Sequence, residues 1–334
     1  MKLTIIKSLG TILTKFIIIM LMLAQQAYAA DKIALRVGYL PILDHLTLLV
    51  SHAKDNDSFQ HINVKPKLFK SWREMAGALR ADVIDAAFIL SPLAMDLFNQ
   101  GVNVKAILLA HRNGSAITVK TGSDITKAQD FQGKIIAIPD RKSTHTALLD
   151  QYLRQGNLSL QDVKTKVIAP PNMLKVMQLG RIDAFIVAEP FGAKAQAKNI
   201  GKILVLTKDI VKNHVECVVV VNSTLIHAHA TAIQEWVNSL IQVGKWIDTD
   251  KLENGSKQVA NLTAKKYFPH NQQTVTMGLQ NPVNRISFSD LNPSIDDFKT
   301  ILDISLQANI IQDVKLNDFI EQRFYTNHLG NSQD

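Results

Sequence analysis

Ile84-Asp-Ala-Ala-Phe-Ile-Leu-Ser-Pro92 and Ile182-Asp-Ala-Phe-Ile-Val-Ala-Glu-Pro190 are the two stretches on which the fold turns. Each opens on Ile-Asp-Ala, continues as a short apolar run and meets a proline, the pattern of a buried strand. They overlay at a spacing of 98 residues, which also sets Ile89 on Val187 and Ser91 on Glu189. The strands before them, 35–40 and 134–138, need a spacing of 99 to 100, so one small indel separates two copies of a unit.

Working outward, apolar runs alternate with segments of helical spacing, the signature of α/β units around a largely parallel sheet. In the first copy, 35–40 reads as a strand ended by Pro41, 45–55 as a helix, 64–69 as a strand and 72–80 as a helix with Met75 and Leu79 on one face. In the second, 134–138 is a strand, 144–155 a helix, 164–169 a strand, 173–179 a helix and 183–188 a strand. Two copies imply two lobes. The strands at 104–109 and 116–120 leave the first lobe, and 215–222 carries the chain back. Two crossings form a hinge, and a hinge permits closure. Beyond Ala230 the pattern is helical, with Ile233, Trp236, Val237, Leu240, Ile241 and Trp246 as a core stripe. The helices at 296–308 and 314–325 are expected to pack on the first lobe. The expected division is a leader at 1–29, lobe 1 at 30–119 and 223–334, and lobe 2 at 120–222.

The leader rests on Lys2, Lys7 and Lys15, an apolar run at 16–24, and Ala27-Tyr28-Ala29, the small-x-small pattern of an export signal cleaved after Ala29. That run is about half the roughly 20 residues needed to cross a bilayer. No cysteine stands at the cleavage point, which argues against a lipid anchor. The remaining roughly 305 residues exceed one ordinary domain and contain no long apolar run, so a soluble two-lobed protein is expected. The net charge of +8 falls to about +5 without the three leader lysines, and the charges are scattered. A nucleic-acid binder would show a basic stripe with interleaved aromatics; mild basicity weakly favours an anionic partner. Cys217, the only cysteine, excludes an intrachain disulfide and, inside an apolar strand, reads as a core thiol.

Five ordered pieces carry a resemblance: 37–41 (Val-Gly-Tyr-Leu-Pro), 84–92, 113–119 (Asn-Gly-Ser-Ala-Ile-Thr-Val), 133–139 with Ser143-Thr-His-Thr146, and 182–190. Together they resemble the solute-binding proteins of nitrate, sulfonate, taurine and bicarbonate importers, a family that also holds thiamine-pyrimidine precursor binding proteins. The resemblance implies a type II periplasmic binding protein fold, no catalysis, a monomer in the periplasm, and delivery to the permease and ATPase of an ABC importer.

In open parallel sheets, ligands sit beyond the carboxyl ends of the strands. That rule selects Asp44 and His45 after the first strand, Ser91 after the third, and His111, Asn113 and Gly114 before the crossing. In the second copy it selects Ser143, Thr144, His145 and Glu189, with His214 before the returning strand. Residues 143–145 open a helix, whose N-terminus can hold an anion, although a capping role for Ser143 or Thr144 is the plain alternative. Trp72 could wall the cleft and donate one hydrogen bond, in likeness to an aromatic of the nitrate-type relatives. Glu189 would repel an anion; it could cap the strand end or hold a ligand amine. The histidines with Asp44 and Glu189 could hold a divalent metal, but none has the paired spacing of a metal motif, so no metal and no cofactor is expected.

The leading expectation is capture of a small anionic or zwitterionic solute (nitrate, bicarbonate, a sulfonate or taurine) by lobe closure. A pyrimidine precursor is the alternative solute. A pyrimidine synthase that consumes its own lysine-bound pyridoxal phosphate and a histidine would lack an export signal and carry several cysteines. A periplasmic sensor module would use the same binding without transport.

Overall fold

The computed structural model describes residues 32–331; the expected export signal and its expected cleavage point lie outside them. Two five-stranded sheets organise the chain. The first sheet runs β2-β1-β3-β11-β4, built from β1 (Ile33–Tyr39), β2 (Ile62–Leu68), β3 (Ala86–Leu90), β4 (Val104–Leu109) and β11 (Cys217–Asn222). The second runs β10-β6-β9-β7-β8, from β6 (Ser115–Lys120), β7 (Ile135–Ile138), β8 (Lys164–Val167), β9 (Ala184–Ala188) and β10 (Gly201–Leu206). A short pair, β5 (Arg112–Asn113) and β12 (Ile286–Ser287), lies at the crossing.

The two sheets repeat one plan. Each has three parallel strands, β2-β1-β3 and β8-β7-β9, followed by one antiparallel strand, β11 or β6, that arrives from the other side of the crossing. The Ile-Asp-Ala signature has a shared physical cause. The Asp85 carboxylate accepts from the Arg36 backbone N–H at 2.7 Å, and the Asp85 N–H donates to the Arg36 carbonyl at 2.8 Å. Asp183 makes the same exchange with Ile135, at 2.7 and 2.8 Å. Each aspartate thereby pins the register of the central strand pair one residue before the ladder begins, where Val37 faces Ala86 and Ile136 faces Ala184. The internal repeat is therefore a repeat of structure.

The prolines of the two signatures do more than end strands. Ser91–Asn99 is a helix that starts at once after β3, with Pro92 in its first turn, where a missing N–H costs nothing. Phe191–Ala197 likewise follows β9 and Pro190. The helix expected from residue 173 begins at Pro170 for the same reason. Each of these helices carries its N-terminus at the sheet's carboxyl edge.

The segments that link the two sheets are 110–114 and 207–216. β6 already belongs to the second sheet, and β11 to the first. Between the sheets the two linking segments run side by side: Ala110 N–H donates to the Cys217 carbonyl at 2.9 Å, Asn113 N–H to the His214 carbonyl at 3.0 Å, and Arg112 bridges Val215 antiparallel. Arg112 is buried and held by both carboxylate oxygens of Asp297, at 2.7 and 3.0 Å, and by Asp290 at 2.9 Å.

The larger apolar core fills the first lobe and continues onto one face of the second sheet through Phe185 and Val187. The alternate residues Ala184 and Ile186 face a second cluster with Ile117, Ile136, Leu148 and Leu149, as the two-residue period of a strand requires. The helix Ala230–Glu253 packs on the first lobe, against the helix Leu46–Asp55, with Trp236 and Leu240 fully buried. The expectation for the later helices needs correction. Ile295–Gln307 touches helices of both lobes, and Gln307 accepts hydrogen bonds from Gln151 and Arg154 of the second. The stretch read as one helix at 314–325 is broken. Ile320 bridges Ala106 and Glu321 N–H donates to its carbonyl, which covers the otherwise open edge of β4. Among the described residues no helix is long and apolar enough to cross a membrane.

Candidate functional site

All twelve residues selected from the sequence are buried, and several of them meet at the seam between the two lobes. Contacts across that seam are direct. Leu43 N–H donates to the Glu189 carbonyl at 2.8 Å, Ser91 Oγ lies 3.4 Å from Thr144 Oγ1, and Thr144 Oγ1 donates to the Glu216 carbonyl at 3.0 Å. At the rim, Lys142 Nζ meets Asp96 at 2.7 Å.

The first lobe brings Asp44, His45 and Trp72. The backbone N–H of Leu40 donates to His45 Nδ1 at 2.9 Å, so the proton of the neutral ring sits on Nε2. Burial, with His111 nearby, holds the pKa of His45 well below its ordinary value and keeps it neutral. Its Nε2 has no partner. Trp72 follows the Ser71 N-cap and stands edge-on to His45, ring centres 5.7 Å apart; its indole N–H is also unpartnered. These are two buried donors with nothing to donate to.

The crossing contributes His111, Asn113 and Gly114. Asn113 and Gly114 both take positive φ, 60° and 110°. A Cβ on Gly114 would lie 3.1 Å from Asp44 Oδ1 and 2.9 Å from Ile286, so glycine is required both by conformation and by space. Asp44 Oδ1 and Asn113 Oδ1 lack partners. Burial raises the Asp44 carboxyl to about 6, against the pull of His111. Burial also opposes charge on His111, yet the Asp44 carboxylate outweighs it and raises the imidazole's pKa.

From the second lobe, His145 Nε2 lies 2.9 Å from both Ser115 Oγ and Glu216, while its Nδ1 is unpartnered. Ser143 has taken the capping role, accepting from the Thr146 N–H at 3.0 Å. His214 bonds the Val211 carbonyl through Nδ1 at 2.8 Å and approaches Glu216 Oε2 at 3.3 Å. Glu189 has both carboxylate oxygens engaged, one by Arg285 and one by the Ala193 N–H at 2.9 Å; burial raises its pKa despite Arg285.

Sequence reasoning missed Glu216, Ser115 and Arg285. Glu216 is the hub: burial opposes its charge, but His145 and His214 overcome that and hold its pKa well below the glutamate range, and Ser115 donates a short hydrogen bond to it. A lone carboxylate inside Val215-Glu-Cys-Val was the available signal, because charged residues are rarely buried without partners. Arg285 gave none; its partner Glu189 is 96 residues away. Cys217 is a buried thiol as expected, but its Sγ faces Asp44 Oδ2 at 4.0 Å, which makes it part of the seam.

With this geometry in view, the chain can be placed among known proteins. It is 28% identical over 239 residues to the nitrate import ATP-binding protein NrtC of Synechocystis, covering 65% of this chain and 35% of that one. It is 24% identical to the nitrate/nitrite binding protein NrtA of Nostoc, covering 73% of this chain and 60% of that one. The chain thus spans between about a third and three-fifths of these relatives' lengths. Among solved structures, the ligand-binding component of an ABC-type import system from Staphylococcus aureus, with zinc bound, matches with TM-score 0.79 and 25% identity, covering 88% of this chain and 98% of that one. The desulfurization enzyme DSZB shares the fold alone, with TM-score 0.63 and 16% identity over 90% of this chain and 99% of that one. A family model matches residues 28–263, well over half of the sequence, and the chain belongs to the NMT1-like family.

Proposed function

We propose that the protein is the extracytoplasmic solute-binding component of an ABC importer, closing its two lobes on a small anionic or zwitterionic solute. The observation that carries this reading is the set of buried, unpartnered polar atoms at the seam: His45 Nε2, Trp72 Nε1, Asp44 Oδ1, Asn113 Oδ1 and His145 Nδ1. A folded core leaves few such atoms, because each costs about 1–3 kcal/mol. A solute that accepts from His45 and Trp72 of the first lobe and meets His145 Nδ1 of the second repays these atoms together. Such a guest bridges groups from both lobes, so its binding favours the closed population.

The lobes are taken as 32–109 with 217–331, and 115–206, a division that rests on sheet membership. Catalysis is not part of the reading. The only buried thiol among the described residues is Cys217, its pKa raised well above the ordinary value by burial and by Asp44 and Glu216, a poor setting for a nucleophile. The family relationship supports the permease and ATPase partners and the periplasmic location; these and a monomeric state are part of the proposal.

A thermal-shift screen of the exported chain tests it, with nitrate, bicarbonate, taurine, alkanesulfonates and aminopyrimidines. One or more of the anionic or zwitterionic solutes should raise the melting temperature in a concentration-dependent way. Stabilisation by aminopyrimidines alone would move the reading to the pyrimidine precursor class; no stabiliser at all would remove the solute-binding role.

A further inference from the structure

We propose that Asp44, His111 and Cys217 form a binding site for a soft divalent transition-metal ion of the zinc class, a role that goes beyond solute capture. The three side chains come from three separate places in the fold: the turn after β1, the crossing segment and the first residue of β11. All three are fully buried. One donor atom from each lies within 4.8 Å of the other two. Asp44 Oδ2 is 3.3 Å from His111 Nε2 and 4.0 Å from Cys217 Sγ.

Those separations are close to what an ion needs. Bonds of about 2.0–2.3 Å in tetrahedral geometry set ligand atoms roughly 3.3–3.8 Å apart. The widest pair must close by about 1 Å, and the Asp44–His111 pair not at all.

An independent observation points to a guest at this spot. Asp44 Oδ1 and both ring nitrogens of His111 are buried without a hydrogen-bond partner. The 3.3 Å approach of His111 to Asp44 lacks the alignment of a hydrogen bond. A cation shared by the carboxylate, the ring and the thiol would engage Asp44 and one of the two ring nitrogens of His111. The donor set also selects the ion. Calcium and magnesium take oxygen ligands, whereas thiolate with imidazole suits zinc or cobalt. Gly114 keeps the site open, because any side chain there would press on Asp44 Oδ1. The ion would take none of the unpartnered donors of His45 and Trp72, which stay free for a solute.

The test is a titration of the chelator-stripped, full mature chain with Co2+, followed by absorbance, with Zn2+ as competitor. The expected result is one equivalent bound, a thiolate-to-cobalt charge-transfer band in the near ultraviolet, and displacement by Zn2+. Cys217→Ser should abolish the charge-transfer band, and Asp44→Asn should weaken binding by at least about tenfold, while circular dichroism shows both variants folded. A wild-type chain that binds neither ion overturns the proposal, even if nitrate or taurine still stabilises it and the importer reading stands. A charge-transfer band or affinity unchanged in folded Cys217→Ser overturns it too, because the ion is then held elsewhere.

Discussion

Replacing Trp72 by Phe separates a binding role for the indole from a packing role. The ring is 1% exposed, and its N–H has no partner. In the solute-free protein that buried donor is a cost of about 1–3 kcal/mol. Phe removes the cost and leaves a smaller ring, which forfeits roughly 1 kcal/mol of packing. The two effects nearly cancel, so the melting temperature of the solute-free variant should stay within a few degrees of wild type, or rise. In the complex the same N–H donates to an anionic oxygen, a bond worth about 1.5–3 kcal/mol. Its loss should weaken binding roughly 10- to 150-fold. Calorimetric titration with whichever solute stabilises the wild-type chain, paired with melting curves in its absence, reads both quantities. A variant with unchanged affinity, or one that melts many degrees lower without solute, refutes the reasoning, because the indole N–H then has no solute or has a structural partner.

Gly114→Ala forces a side chain into a positive-φ position against Asp44 and Ile286; it should cost about 1–3 kcal/mol and weaken solute binding, read from melting and titration together. Asp183→Ala should lower stability by about 1–2 kcal/mol, seen in urea unfolding, since it removes the acceptor that fixes Ile135. Asp297→Asn tests the clamp on the crossing through pH. Burial works against the Asp297 anion, but Arg112 and Ser294 hold its carboxyl below the ordinary aspartate value. Its stabilisation is therefore present above that value and is lost as pH falls through the lower, folded-state value. The variant should melt a few degrees below wild type near pH 7, with the gap narrowing as pH falls below the ordinary aspartate value; a gap independent of pH contradicts the ion-pair account.

The parts legible in the sequence are those set by local pattern. Strand alternation and helical spacing located β1, β3, β7 and β9 and the helices after Ser71 and Ser143, because burial of one face writes its period into the chain. The Ile-Asp-Ala repeat was readable since its cause, a side chain that locks the next strand's backbone, lies within one unit. What stayed hidden depends on long-range meetings. Glu216 acquires its meaning only when the crossing brings it to His145, 71 residues away, and Arg285 only when the C-terminal third folds back to Glu189. Proline was read as punctuation, so the helices it starts at Pro92 and Pro190 were overlooked. The break at Ile320 was invisible because an edge strand elsewhere, β4, imposes it.

A crystal structure of the chain with its stabilising solute bound is the most direct trial of lobe capture. The account predicts the guest at the seam, within hydrogen-bond reach of His45 Nε2 and Trp72 Nε1 on one side and of a second-lobe group such as His145 on the other. A guest on an outer face, or one held by a single lobe while those nitrogens stay unpaired, would contradict it.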